Sequence, residues 1–371
     1  MTVRAREAVN SFKPYIPGKD EEEIKKQYGL DYVVKLASNE NPYGPSEKAL
    51  ETVKSFDAVH LYPQSSYLQL QQEIANQTKF NREQIILGNG SDELIKLITK
   101  AFIAPGDEAI TASITFPVYK MGVLEMDGKI QKVKLTSDYR HNVPGFLNTV
   151  NEQTKLIFIC NPNNPTGTII THQEAEQLME NVPSNVLVVF DEAYKEYCQD
   201  EDYPRSKELV ETYPNLLVLR TFSKIYGLAG LRVGYGLGQE KLIKDLLKIK
   251  LPFNLNSIGL CAAKTALEDT AHIKYSRDNN QVQKDFLTEK ISAMKSFEAV
   301  PTHGNFMLIK TKIPDKALFE ELLKKGVIIR PGFQLGIENH FRVTIGTEEH
   351  NELLLSKLKE CEVSLNDHCH E

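Results

Sequence analysis

From about Ser38 to Gly236, short runs of almost uninterrupted apolar residues alternate with amphipathic stretches. The pattern is that of strands buried on both faces with helices laid over them. It predicts strands over Gln84–Leu87, Glu108–Thr111, Leu156–Cys160, Val186–Phe190, Leu216–Arg220 and Leu231–Gly236. Two helix starts are readable, Ser66-Tyr67-Leu68-Gln69 and Thr171-His172-Gln173-Glu174. In that spacing the hydroxyl and the later amide or acid satisfy first-turn amides reciprocally. After Gly236 the texture changes. Lys241–Lys250 reads as a helix ending before Pro252, and helical patterning dominates from Ser257 to Met294. A smaller unit follows, with strands at Phe306–Lys310, Val327–Arg330 and Phe341–Ile345 and helices at Asp315–Lys325 and Glu348–Lys359. The predicted class is α/β: a large domain with a mainly parallel sheet flanked by helices, plus a smaller α+β domain. No internal repeat or low-complexity run interrupts this order.

Composition narrows the function classes. The chain has 371 residues, long enough for two or more domains, and is 41% hydrophobic. Its 44 basic and 50 acidic residues are interspersed, net −6, without the basic stripe of a nucleic-acid binder. No apolar run approaches a membrane span, and the first residues lack the apolar core of a signal peptide, so a cytoplasmic location is expected. Five scattered cysteines, Cys160, Cys198, Cys261, Cys361 and Cys369, fit neither a disulfide framework nor a zinc site. They read as reduced thiols. The closing Asn366-Asp367-His368-Cys369-His370-Glu371 contains metal-ligand types, but it reads as a polar, frayed terminus. No metal is expected.

Four segments carry candidate chemistry. Gly88-Asn89-Gly90-Ser91-Asp92-Glu93 joins a strand to a helix, aiming free amides and a helix dipole at one point suited to phosphate; an ordinary capped turn has the same sequence. Asn161-Pro162-Asn163-Asn164-Pro165-Thr166-Gly167 forms a stiff loop after a strand, where ligands of open α/β sheets bind, or serves as turn chemistry alone. Asp191 ends an apolar strand, where an acid needs a positive ligand, a salt bridge or a helix cap; Tyr194 follows three residues later. Thr221-Phe222-Ser223-Lys224 follows another strand, with Arg232 eight residues beyond Lys224. A sequestered lysine loses its proton readily and attacks aldehydes, whereas at most strand ends lysine is merely solvated. Arg232 offers a rigid fork to a phosphate or forms a salt bridge. In this order the set matches what a pyridine ring bearing an aldehyde and a phosphate requires.

The chain resembles the fold-type I, pyridoxal-phosphate-dependent aminotransferases of classes I and II along essentially its whole length. The marks are Lys13-Pro14-Tyr15-Ile16-Pro17-Gly18-Lys19, Leu36-Ala37-Ser38-Asn39-Glu40-Asn41-Pro42-Tyr43-Gly44-Pro45, Tyr62-Pro63, the Gly88–Glu93 run, Ile329-Arg330-Pro331-Gly332 and Phe341-Arg342-Val343-Thr344-Ile345-Gly346, together with the Asp-Glu-Ala-Tyr and Ser-Lys elements. They are most similar to members acting on L-histidinol phosphate. The resemblance implies that Lys224 carries pyridoxal 5'-phosphate and acts as general base, that Asp191 faces the pyridine nitrogen, and that Asn164 and Tyr194 bond the ring's 3'-oxygen. It further implies Phe116 against the ring face, although packing in the core also accounts for a phenylalanine there. Ser91, Asp92, Thr221, Ser223 and Arg232 would hold the phosphate. Tyr62 would reach the cofactor of a neighbouring subunit, implying a homodimer; Gln64 after Pro63 departs from the acid common in relatives.

For substrate, Arg342 would take an anionic group with help from Arg330 and Asn164, and Tyr15 would close over the site. The implied reaction is transamination between L-histidinol phosphate and 2-oxoglutarate in histidine biosynthesis. The alternatives are an aromatic amino acid aminotransferase, a phosphothreonine-type decarboxylase, and a non-catalytic regulator. The expected division is residues 1–37 as a segment contributing to the small domain and covering the site, 38–255 as the large cofactor-binding domain and 256–371 as the small domain. Such regulators commonly add a DNA-binding domain, and none is expected here, since the family pattern begins by Lys13.

Overall fold

A computed structural model describes residues 2–10, 12, 19–64 and 67–366. Seven strands form its main sheet: β1 (Ile85–Gly88), β2 (Glu108–Ala112), β3 (Lys129–Val133), β4 (Thr154–Cys160), β5 (Leu187–Asp191), β6 (Leu216–Thr221) and β7 (Gly234–Gly238). Their order is β1-β7-β6-β5-β4-β2-β3. All neighbours pair in parallel except β7, which runs antiparallel to both β1 and β6. The mainly parallel α/β class is therefore observed.

Side-chain alternation explains why the central strands read as continuous apolar runs. Along β4, Ile157 and Ile159 enter one core, while Leu156, Phe158 and Cys160 enter another on the opposite face. Helices Leu68–Thr78 and Ser257–Glu268 cover the first face, and Ser91–Phe102 and Glu240–Leu247 the second.

A second sheet contains β8 (Phe297–Ala299), β9 (Phe306–Thr311), β10 (Arg330–Pro331) and β11 (His340–Thr344), in the order β10-β11-β9-β8 and antiparallel throughout. Helices Thr270–Ser292, Asp315–Lys324 and Glu348–Asn366 pack on it around a separate core that includes Leu287, Met307, Phe341 and Leu358. Val34–Lys35 pairs in parallel with Val327–Ile328, and the Leu36 carbonyl accepts from the Thr344 amide at 2.8 Å. The segment after Lys35 thus passes from this separate two-stranded pairing to the carboxyl end of β11 in the second sheet.

Several predicted boundaries are corrected. Leu231–Gly236 is not one strand: Ala229–Leu231 is a 3-10 turn, Arg232 has φ +54°, and the strand begins at Gly234. Val327–Arg330 divides between two sheets, Val327–Ile328 in one and Arg330–Pro331 in the other. The predicted helical stretch Ser257–Met294 breaks at Asp269 into two helices. At Thr171 the capping box forms, with Glu174 N–H donating to the Thr171 hydroxyl at 3.2 Å and Thr171 N–H to Glu174 Oε2 at 2.7 Å. The Leu68–Thr78 helix instead starts after Tyr67, at φ +46° and with no side-chain cap; Ser66 lies outside the described residues.

Candidate active site

The strand ends converge at one edge of the main sheet. β1, β4, β5 and β6 deliver Ser91, Asn164, Asp191 and Lys224 just at or beyond their carboxyl ends. Antiparallel β7 starts at that same edge, so Arg232, just before it, arrives there too. Across from them, β10 and β11 of the second sheet bring Arg330 and Arg342. These residues line one cavity of about 210 Å³ together with Ser38, Asn39, Asp92, Phe116, Cys160, Tyr194, Thr221 and Ser223.

Two glycines make the approach possible. Gly90 has φ +77°, and a Cβ there would lie 2.4 Å from Arg232 Nη2, so only glycine lets the guanidinium settle over the helix start. Gly167, at φ +77°, closes the Asn-Pro loop; a Cβ there would lie 2.0 Å from the Thr302 hydroxyl. The cradle at this end is bonded internally. Arg232 Nη1 donates to Ser223 Oγ at 3.2 Å and Nη2 to Asp92 Oδ2 at 3.3 Å, while the Ser223 amide donates to Thr221 Oγ1 at 3.1 Å. Free first-turn amides of the Ser91–Phe102 helix beside an arginine suit a phosphate dianion.

The two central ionisable groups are shifted in opposite directions. Burial, reinforced by the positive charge of Arg342, brings the Lys224 ammonium down from 10.5 to about 8. Its Nζ donates to the Ser38 carbonyl at 3.2 Å and lies 5.5 Å from the centre of the Tyr194 ring. Burial pushes the Asp191 carboxyl from 3.8 up to about 6, against the pull of its hydrogen bonds. Those bonds come from neutral donors, the Tyr119 hydroxyl at 2.7 Å and the Ala193 amide at 3.2 Å. A buried acid without an ion-pair partner among the described residues calls for a cation from the cavity. A protonated heteroaromatic ring bearing an aldehyde for Lys224 and a phosphate for the cradle fits this donor set.

At the other end, Arg342 Nη1 donates to Asn164 Oδ1 at 2.6 Å, Nη2 donates to the Ala37 carbonyl, and the guanidinium lies 5.6 Å from the Phe306 ring centre. Asn164 Nδ2 donates to the Tyr194 hydroxyl at 3.1 Å. Burial pushes the Tyr194 phenol well above its ordinary value, so the hydroxyl keeps its proton at neutral pH.

The model of the family "Aminotransferase class I and II" matches residues 31–358. The chain belongs to this family. It is 43% identical over 361 residues to the histidinol-phosphate aminotransferase of Bacillus subtilis, covering 96% of this chain and 99% of that protein. The Moorella thermoacetica histidinol-phosphate aminotransferase is 42% identical over 359 residues, covering 96% and 92%. In three dimensions the chain is similar to the histidinol-phosphate aminotransferase of Sinorhizobium meliloti, solved in complex with pyridoxal-5'-phosphate. There the TM-score is 0.89 at 25% identity, with 98% of this chain and 99% of that one covered.

In this aminotransferase the cavity gathers Ser91, Asp92, Phe116, Asn164, Asp191, Tyr194, Thr221, Ser223, Lys224, Arg232, Arg330 and Arg342. Phe116 is half-buried and meets Tyr119 edge-on at 5.6 Å, so it serves both the cavity wall and the core. Tyr62 does not join them: it is 82% exposed and stacks on Phe253 at 4.9 Å. Tyr15 lies outside the described residues. Two participants carry no role in the sequence reading. Tyr119, which bonds Asp191, sits in an apolar helix whose only signal is its spacing from Phe116. Asn39, which donates to Tyr194, belongs to a quoted motif but is brought in from 155 residues away. Among the described residues no His, Cys, Asp or Glu cluster suits a metal, and no helix is long and apolar enough to cross a membrane.

Proposed function

We propose that the protein is a pyridoxal 5'-phosphate-dependent aminotransferase that interconverts L-histidinol phosphate and 2-oxoglutarate with imidazole acetol phosphate and glutamate, in histidine biosynthesis. The observation that carries the chemistry is Lys224 and Asp191 in one cavity, the amine made easier to deprotonate and the acid without a cation among the described residues. The substrate follows from full-length relatives above 40% identity and from two buried arginines in the same cavity.

Once bound, pyridoxal 5'-phosphate supplies an electron sink for the negative charge left when the substrate Cα loses its proton. Lys224 would hold the cofactor, and its amine would serve as the base that moves the substrate's Cα proton. Asp191, held by Tyr119, would face the pyridine nitrogen and keep it protonated. Tyr194 and Asn164 would bond the 3'-oxygen, and Phe116 would lie against the ring. Ser91, Asp92, Thr221, Ser223 and Arg232 hold the phosphate. Arg342 receives the carboxylate of glutamate or 2-oxoglutarate and the phosphate of histidinol phosphate, with Arg330 assisting and Asn164 fixing the guanidinium.

In this reading residues 38–255 form the cofactor domain and 256–371 the small domain, joined by residues 1–37, with Tyr15 closing over the substrate. The exposed Tyr62, beside Leu61, reaches a second subunit's site in a cytoplasmic homodimer. The test is turnover of L-histidinol phosphate and of phenylalanine, each with 2-oxoglutarate. The expected result is a kcat/KM for histidinol phosphate at least about tenfold higher; a preference for phenylalanine overturns the substrate and keeps the chemistry.

A further inference from the structure

We infer that Asn39 is a positioning residue: it and Asn164 occupy both lone pairs of the Tyr194 hydroxyl, so that the hydroxyl proton can only point into the cavity. The inference rests on the proposed cofactor and deepens that reading.

For Asn164 the orientation of the amide is fixed by its other partner. Arg342 has donors only, so Asn164 must present Oδ1 to it at 2.6 Å and turn Nδ2 toward Tyr194. For Asn39, the Thr344 hydroxyl accepts the Asn39 backbone amide at 2.9 Å and donates to Asn39 Oδ1 at 3.3 Å. Asn39 Nδ2 donates to the Tyr194 oxygen at 3.1 Å. A phenol oxygen accepting two N–H groups retains one capability, donation of its own proton. Burial keeps that proton in place at neutral pH.

The backbone supports the same purpose. Asn39 is 1% exposed and holds φ +55°, a left-handed conformation that asparagine tolerates better than most side chains. Its carbonyl accepts from Asn305 Nδ2 at 3.0 Å. Thr344 and Asn305 belong to, or immediately precede, strands of the second sheet, whereas Tyr194 follows β5 of the main sheet. The preceding carbonyl, of Ser38, accepts from Lys224 Nζ. One two-residue turn anchored in the second sheet thus sets both the amine of Lys224 and the hydroxyl of Tyr194.

The experiment is a double-mutant cycle on cofactor affinity, read by equilibrium dialysis of pyridoxal 5'-phosphate against the wild type, Asn39→Asp, Tyr194→Phe and the double variant. The aspartate preserves shape and left-handed backbone but draws the Tyr194 proton to itself. Expected is a loss of about tenfold for Asn39→Asp in the wild-type background and less than about twofold in the Tyr194→Phe background. Asn39→Gly, which keeps the backbone and removes the donor, is read in the same way if the aspartate variant does not fold. An equal loss in both backgrounds, or none in either, overturns the inference while leaving the functional reading intact. A wild-type chain that takes up no cofactor overturns that reading and the inference with it.

Discussion

Asp191 and Glu192 are adjacent buried carboxylates at the end of the same strand, and the fold gives them opposite surroundings. Alternation sends them to opposite sides. Glu192 Oε2 receives Arg220 Nε and Nη2 from neighbouring β6 at 3.0 and 2.8 Å, while Glu192 Oε1 accepts from the Ser206 hydroxyl. Asp191 receives one phenol and one amide. Among the described residues Glu192 has its cation in Arg220, whereas Asp191 has none. A buried ion pair closed within the protein marks structure; a buried acid kept short of a cation among the described residues, in a cavity with a lysine made easier to deprotonate, marks function.

The largest effect expected is on the cavity side. Lys224→Ala should lower turnover with glutamate on the order of 10⁴-fold with little change in thermal stability; parental turnover would remove the lysine from the chemistry. Asp191→Asn should follow, with kcat lowered on the order of 10³-fold in steady-state assays at neutral pH. Arg220→Met reverses the pattern. It strands Glu192 and should cost about 3–5 kcal/mol in denaturant unfolding, while cofactor affinity per folded molecule stays within about twofold.

The comparison sharpens further with pH. The carboxyl of Asp191 is raised in the folded protein, so its stabilising share is complete below pH 3.8 and lost as pH rises through about 6. In the cofactor-free protein Asp191→Asn should therefore gain on the order of 2–3 kcal/mol at pH 8 and nothing at pH 3, measured by unfolding at each pH. An equal gain at both would show that the Asp191 carboxyl is not raised in the free cavity. The smallest effect expected is kinetic: cofactor uptake needs a neutral Lys224, so its rate should rise as pH passes about 8 and level off above it, followed by stopped-flow absorbance.

The sequence was most legible where burial is symmetrical. β4, β5 and β6 are apolar on both faces, and the residues that end or closely follow them, Asp191 and Lys224 among them, stood out against that background. β3 was missed because an edge strand carrying exposed Lys129 and Lys132 lacks the buried signature. Arg232 was placed within reach of the phosphate, but the left-handed turn that positions it hid the true start of β7. At Asp191 the sequence left a ligand and a salt bridge both open. The salt bridge exists one residue later, on Glu192, and only the pleat distinguishes the two. Tyr119 and Asn39 were beyond sequence reasoning, since their partners lie 72 and 155 residues away and neither residue type announces a contact at that range.

The most direct test is reduction of the cofactor-loaded protein with borohydride followed by peptide mapping. One pyridoxyl phosphate mass per chain, confined to the peptide containing Lys224 and absent in Lys224→Ala, is the predicted result. A chain that stays unlabelled after incubation with pyridoxal 5'-phosphate, or that carries the label on a different lysine, contradicts the account.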